Sequence, residues 1–540
     1  MTDDPHPDSA DSVRLAEVAG VLSLATDLAM GQPLEHGLRT AIMAVRLAEA
    51  MGLTAEQRAA VYYTGLMHFA GCTAEGDIDA GFFGDELVAR PQMMAAFLGS
   101  RRELVTTAMR VAHRDSPPLA RAAAITKSAS GGVGEFRKWA RTHCDVAQLL
   151  GTRMGLTGAV HVALGHLYER WDGKGMPGEL RAEQIPLAVR LMQVAQDADM
   201  AWQRGGVKQA RQTVSEHAGA GLDPGSAGAF LTLGPDVFAG LDEPSIWPAA
   251  MAAEPGPQPL VDAGRLDACL SAVADFADLK SMWTIGHSRA VASLAECAGA
   301  AAGLPESDVT LLRRAALVHD IGRVTVPVRV WAKPGPLTRH EREQIRLHAY
   351  HSERVLDASD GLRSLARLAG SHGERCDGSG YHRGSRGGDL PLTAWVLAAA
   401  DCYQAMLEPR AHRPPLSAKA AADELHRDSR AGLFAPEAVS SVLMAAGQPA
   451  RTPARPAGLS ERECSVLALL ARGLATKQIA RQLGISPKTC DHHIQSIYAK
   501  AGVSTRAGAT LFALETGVAG PGFGARPEPG LARPASSSHD

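Results

Sequence analysis

Six side chains, His287, His319, Asp320, His348, His372 and Asp401, are of the types that hold a divalent metal, yet only His319 and Asp320 are neighbours in sequence. Imidazoles and carboxylates spread over separate helices suit a metal that activates water and holds a phosphate. A helical bundle can gather inward-facing side chains from four or five helices at one point, which local spacing does not reveal. The His319-Asp320 pair follows the apolar run Ala315-Ala316-Leu317-Val318, so it is predicted to enter a buried region. Hydrogen-bonded core groups, or a scaffold without turnover, would use the same residue types, and the types alone leave that open.

The elements that must position these residues are helices. Hydrophobic residues make up 45 % of the 540 positions and aromatics only 5 %; Ala, Gly and Leu dominate, which favours packed helices over β-sandwiches and predicts an almost all-α protein of three or four domains. Helical spacing is clear over 309–317 and 337–347, with Thr338 as N-cap and Lys333-Pro334-Gly335-Pro336 as the loop between them.

An internal repeat organises the first 440 or so residues. Residues 35–71 align with 286–322 at an offset of 251, placing His36 on His287 and His68 on His319. A second block aligns at an offset of 205, placing His143 on His348, Glu169 to Gly173 on Glu374 to Gly378, and Ile185-Pro186-Leu187 on Leu390-Pro391-Leu392. The first copy therefore carries a connection 46 residues longer. The implied order is a flexible N-terminus at 1–19, a first copy at 20–242, a linker at 243–259, a second copy at 260–446, a proline-rich linker at 447–457, a terminal domain at 458–519 and a disordered tail at 520–540.

The second copy resembles the HD superfamily of metal-dependent phosphohydrolases, and its HD-GYP branch in particular. His319-Asp320-Ile321-Gly322-Arg323 is similar to the HDxGK loop, His372 to His382 is similar to HHExxDGSGYP, and Ala400-Asp401 matches the closing Ala-Asp. The resemblance implies that His287, His319, Asp320 and Asp401 hold one divalent metal (Fe, Mn or Mg). His348, His372 and a bridging Asp320 would hold a second. Asp320 and Arg323 would be catalytic, with Arg323 facing the substrate phosphate, and cyclic di-GMP is the substrate class implied. Gly373 replaces the second histidine of the HH pair, Arg323 the usual lysine, His382 the proline, and Trp283 an extra glutamate of some members. One site is thus expected intact and the second weakened. His340, His351 and His382 match no ligand position and are expected on the solvated surface.

The first copy keeps His36, His68 and His143 but has Phe69 at the bridging aspartate, Leu167 and Tyr168 at the HH pair and Gln196 at the final aspartate. Three neutral imidazoles without an anionic bridge do not make a paired hard-cation site, so this copy is expected to be degenerate. Packing against its partner or sensing a ligand both remain open for it. Asp197, one residue off register, should point elsewhere, and the stretch 169–175 should be a structural turn.

From residue 459 the chemistry changes. Ser460 with Glu463 forms a capping box, a second helix follows over 476–483, and Ser486-Pro487 starts a third. Helix, glycine-containing turn and helix is a DNA-reading motif. Cys490, Ile494, Ile497 and Tyr498 make the buried stripe of the third helix, leaving its polar face for the major groove. Residues 459–518 carry seven basic against four acidic side chains, about +3 inside a chain of −3. Lys477, Lys488 and Lys500 are phosphate candidates; Thr489, His492, His493 and Gln495 are candidates for base edges, with a structural cap as the alternative for His493. The segment resembles the LuxR-type domain, with a fourth helix at 506–515, and this implies double-stranded DNA as partner and a homodimer on a two-fold site.

Eight scattered cysteines without a CxxC pair suggest no disulfide frame. The opening residues lack the features of a secretory signal and no apolar run is long enough to span a bilayer, so no membrane partner and a cytoplasmic location are expected. The sequence thus reads as tandem HD-type bundles followed by a four-helix helix-turn-helix domain. The two resemblances together imply a DNA-binding regulator whose metal-binding module senses or hydrolyses a phosphodiester such as cyclic di-GMP, or alternatively a metal-dependent cyclic dinucleotide phosphodiesterase with an accessory DNA-binding domain.

Overall fold

A computed structural model of the chain describes residues 13–114, 116–447 and 456–519. It divides into two compact units on either side of residue 448, and both are helical, the one sheet described being a two-residue pairing of Val13–Arg14 with Leu260–Val261.

In the first unit the repeat seen in sequence is a repeat in space. Helix Leu15–Ala29 is buried on all sides, with its apolar residues all round rather than in one stripe. Its second-copy counterpart is helix Ala263–Asp278. Asp27 accepts from the Gly37 amide at 3.0 Å, as Asp278 accepts from the Ser288 amide at 2.9 Å. A Cβ at Gly71 would lie 1.9 Å from the His143 carbonyl oxygen, and one at Gly322 would lie 2.1 Å from that of His348. Both copies therefore need glycine where the turn after His68 or His319 meets the helix that carries His143 or His348.

Several expected boundaries differ. Residues 13–19, expected to be flexible, form the strand and first helical turn, because the Leu15 amide donates to the Pro259 carbonyl and Arg14 pairs with Glu254. The segment 243–259, expected as a linker, holds helix Trp247–Ala252. It is fixed by tertiary contact: Tyr62 donates to the Ala250 carbonyl at 2.9 Å, and Trp247 lies where a Cβ on Gly20 would be 2.9 Å away. This helix therefore packs on the first copy, and both copies lie in one compact unit. Most of the expected linker 447–457 and the whole tail 520–540 lie outside the described residues.

The second unit is four helices, Glu461–Ala471, Thr476–Gln482, Pro487–Ala501 and Arg506–Glu515, close to the expected bounds. Cys490, Ile494 and Ile497 enter its core with Leu467, Leu470 and Ile479, and Tyr498 packs at its edge. No helix among the described residues is long and apolar enough to cross a membrane.

Candidate metal centre and DNA interface

Each of the six metal-type residues stands at a defined point of the second copy. His287 opens helix His287–Ala301 after Gly286, whose φ of +80° turns the chain into it. His319 caps helix Glu306–Val318, Asp320 begins the turn Ile321–Thr325, His348 lies within helix Arg339–Asp357, His372 follows helix Arg363–Gly370, and Asp401 lies on helix Leu392–Leu407. The Nδ1 atoms of His319 and His372 bond to the carbonyls of Ala316 and Ala369, both at 2.7 Å, and that of His348 to the Ile345 carbonyl. Holding Nδ1–H on the backbone leaves each Nε2 as an inward-facing lone pair, the form a metal binds.

These Nε2 atoms converge on Asp320. Its Oδ2 is 3.3 Å from His319 and 3.6 Å from His287; its Oδ1 is 3.0 Å from His348 and 3.7 Å from His372. Asp401 Oδ1 lies 3.0 Å from His287 and 3.8 Å from His319. In two groups, His287-His319-Asp401 and His319-Asp320-His372, the ligand atoms all lie within 4.8 Å of one another. All but Asp401 are buried, so Asp401 marks the open side. His319 Nε2 is buried without a hydrogen-bond partner. Buried polar atoms are seldom left so, and this donor set fits a divalent cation.

The electrostatics agree. Burial disfavours the charged form of His287, but Glu408 and Asp401 outweigh it and raise the imidazole to about 9. His319 likewise rises to about 10, against burial, through Asp320 and Asp401. His372, dominated by burial and beside His319 and His348, falls to about 3. Burial would raise the Asp320 and Asp401 carboxyls, yet Arg323, His319 and His348 hold Asp320, and His287 and His319 hold Asp401, well below the ordinary range. The carboxylates of Asp320, Asp401 and Glu408 thus favour positive charge at His287 and His319, the same attraction a divalent cation held there would use.

Arg323 sits on Asp320 at 2.7 Å and under the Trp331 ring, its guanidinium carbon 4.9 Å from the centroid. Two residues that sequence reasoning missed complete this side. Glu408 meets His287 Nδ1 at 3.0 Å and pairs with Arg410 at 3.0 Å. Its only sequence signal is its position seven residues after Asp401, two helical turns along the same face. Gly373 stands where the HH pair would have its second histidine. A Cβ there would be 1.9 Å from the Tyr381 ring, so this tyrosine fills the space a second histidine would need. His340 is exposed as expected, whereas His351 and His382 are half-buried, with His382 4.0 Å from Glu353. Their partial burial comes from packing beside Tyr350.

The first copy's equivalent is packed shut. The Phe69 ring lies 3.9 Å from that of His68 and 5.8 Å from that of His36. The remaining cavity, lined by His68, Phe69, Tyr168 and Gln196 among others, is about 10 Å³, room for one water at most. Asp197 turns away to His217 at 2.7 Å. Comparison of aligned positions missed Asp199, which meets His36 at 2.6 Å, but Arg39 at 2.7 Å neutralises it. The 169–175 stretch is a structural turn, Glu169 accepting from the Glu179 amide at 2.8 Å.

In the second unit Lys477, Lys488, Thr489, His492 and Gln495 are exposed and His493 is half-buried. Thr489 exchanges a 2.8 Å hydrogen bond with the N-cap Ser486. Lys500 is placed differently from the other lysines: its ammonium lies 2.7 Å from Glu463, tying the third helix to the first.

Comparison with known proteins bears on both units. The HD-domain family matches residues 133–220 and 271–437, and the family of bacterial regulatory proteins of the LuxR type matches 457–513. The chain thus carries HD-domain sequence in both copies and a LuxR-type domain at 457–513. The HD match in the first copy starts near His143 and spares the longer connection before it. A 3′3′-cGAMP-specific phosphodiesterase of Vibrio cholerae is 26 % identical over 74 % of this chain and 87 % of its own. A cyclic di-GMP phosphodiesterase of Thermotoga maritima is 34 % identical over 31 % of this chain and 45 % of its own. A crystal structure of a Vibrio cholerae cyclic GMP-AMP-specific phosphodiesterase shares the fold, with TM-score 0.58 and 23 % identity, over 81 % of this chain and 99 % of that one.

Proposed function

We propose that the protein is a DNA-binding regulator whose second HD copy is a metal-dependent phosphodiesterase acting on a 3′3′-linked cyclic dinucleotide. The observation that carries this reading is the convergence of four imidazoles on Asp320, whose two oxygens face opposite halves of the set, with Asp401 closing on His287 and His319. His287, His319, Asp320 and Asp401 would hold one divalent cation; His348, His372 and the second oxygen of Asp320 offer a poorer second position. A bound cation of this kind supplies an activated water and Lewis acidity toward a phosphodiester. The chain's own residues bind and orient: Arg323, stiffened by Trp331, presents a guanidinium for a phosphate oxygen, and Arg410 adds positive charge beside it. The relatives named above act on cyclic dinucleotides, which supports that substrate class. On the DNA side, Lys477 and Lys488 are assigned to phosphates and Thr489, His492, His493 and Gln495 to base edges, with a homodimer on a two-fold site.

The test offers manganese- or iron-loaded protein cyclic di-GMP and 3′3′-cGAMP. Hydrolysis of either, lost in His319→Ala and Asp320→Ala, is the expected result. Tight binding without product leaves a sensor, and neither binding nor bound metal sinks the reading.

A further inference from the structure

The longer connection of the first copy reaches the second copy's site through one buried side chain. Glu86 stands at the start of helix Glu86–Phe97, capped by Asp85, inside the stretch that has no counterpart in the second copy. Its carboxylate is fully buried, and Oε1 receives two bonds from the second copy: the Lys280 ammonium at 2.7 Å and the Val328 amide at 3.0 Å. Lys280, itself fully buried, belongs to the loop that ends at His287. Asp278, the last residue of helix Ala263–Asp278 before that loop, accepts from both the amide and the hydroxyl of Ser288, at 2.9 and 2.8 Å. Val328 opens the short helix Val328–Trp331, whose Trp331 covers Arg323. Gly76 makes the contact close, since a Cβ there would meet Val328 at 2.8 Å and the Lys280 carbonyl at 2.9 Å. At the rim Asp85 pairs with Arg329 at 3.0 Å.

We propose that Glu86 is a positioning residue for the metal centre of the other copy, pinning the loop before His287 to the helix that backs Arg323. A carboxylate buried between two loops and bonded to both fixes their separation, because either partner released would leave an unpaired polar group. The first copy, its own site closed by Phe69, would thus act on the reaction through geometry. The consequence for turnover rests on the phosphodiesterase reading; the clamp itself does not.

The experiment uses the full chain. Glu86→Gln/Lys280→Met removes both charges together and leaves no lone buried ion, while Gly76→Ala wedges the same contact apart and serves if the double variant fails to fold. Hydrogen exchange is followed at residues 321–331 and, as internal reference, in helix Leu392–Leu407, together with kcat and KM on the cyclic dinucleotide. Faster exchange at 321–331 with the reference helix unchanged is expected. A fall in kcat or rise in KM of about tenfold should accompany it, the usual scale for residues that orient a metal site from outside. Unchanged exchange at 321–331 overturns the clamp. If the parent protein hydrolyses no cyclic dinucleotide, the phosphodiesterase reading fails while the exchange arm still decides the clamp.

Discussion

His287 differs from the other three histidines of the site in how its outer nitrogen is held. They donate to backbone carbonyls three residues earlier, whereas His287 relies on Glu408, a side chain 121 residues away in sequence. Replacing Glu408 with Gln should keep the hydrogen bond but lose its charge, so metal affinity measured by titration should fall by about tenfold or more while the fold survives. Such a partner was invisible beforehand because it matches no ligand position and acts only once two distant helices meet. The six ligand candidates, in contrast, could be picked out from residue type and motif. The consequence of Gly373 could be read only in part: the missing histidine was evident, its replacement by the Tyr381 ring was not. Gly373→His should therefore not rebuild a second site. The new side chain overlaps Tyr381, and thermal denaturation should show a loss of about 1–3 kcal/mol with no gain in bound metal; pairing it with Tyr381→Ala should relieve that loss.

Helix ends were the most legible elements, because caps are written locally. Ser460 with Glu463 and Ser486 with Pro487 start their helices as their sequences indicate. Helix Trp247–Ala252 was not legible, since six residues with proline near the start show no period and depend on Tyr62 and Trp247 contacts. In the DNA-binding unit one element contact changes how a lysine should behave. Lys500 holds Glu463, whereas Lys488 has a free, exposed side chain on the proposed reading face. Lys488→Ala should weaken DNA binding and flatten its salt dependence by about one unit of slope, and Lys500→Ala should lower the melting point with little change in slope. Gel-shift titrations at several salt concentrations separate the two. Glu463 also sets a pH limit. Burial would raise its carboxyl, but Lys500, Ser496 and Ser460 bring it down from 4.5 to about 2. A depressed folded value stabilises the fold above the ordinary value and ceases to do so as pH falls through the folded one. Melting of this unit should therefore decline between about pH 4.5 and 2, and Glu463→Gln should flatten that decline.

At the scale of the whole chain, duplication was readable because two blocks of residues keep register. The union of the copies was not, because it depends on a short strand pair, a helix buried on all sides and buried ion pairs between copies such as Lys280–Glu86 and Arg153–Asp275. None of these has a periodic or motif signature, and the prolines of 243–259 pointed instead to a loose connection. The division into two compact units makes a thermodynamic prediction. A ligand that binds only the folded form stabilises the unit that holds it, by about 2.7 kcal/mol at a free concentration one hundred times its dissociation constant. Manganese added to chelator-treated protein should raise the calorimetric transition of the unit ending at residue 448 and leave that of the LuxR-type unit where it was. In Asp320→Ala neither transition should move. If both rise together in the parent protein, the units do not unfold independently, and a signal from the metal centre has a direct structural route to the DNA-binding helices.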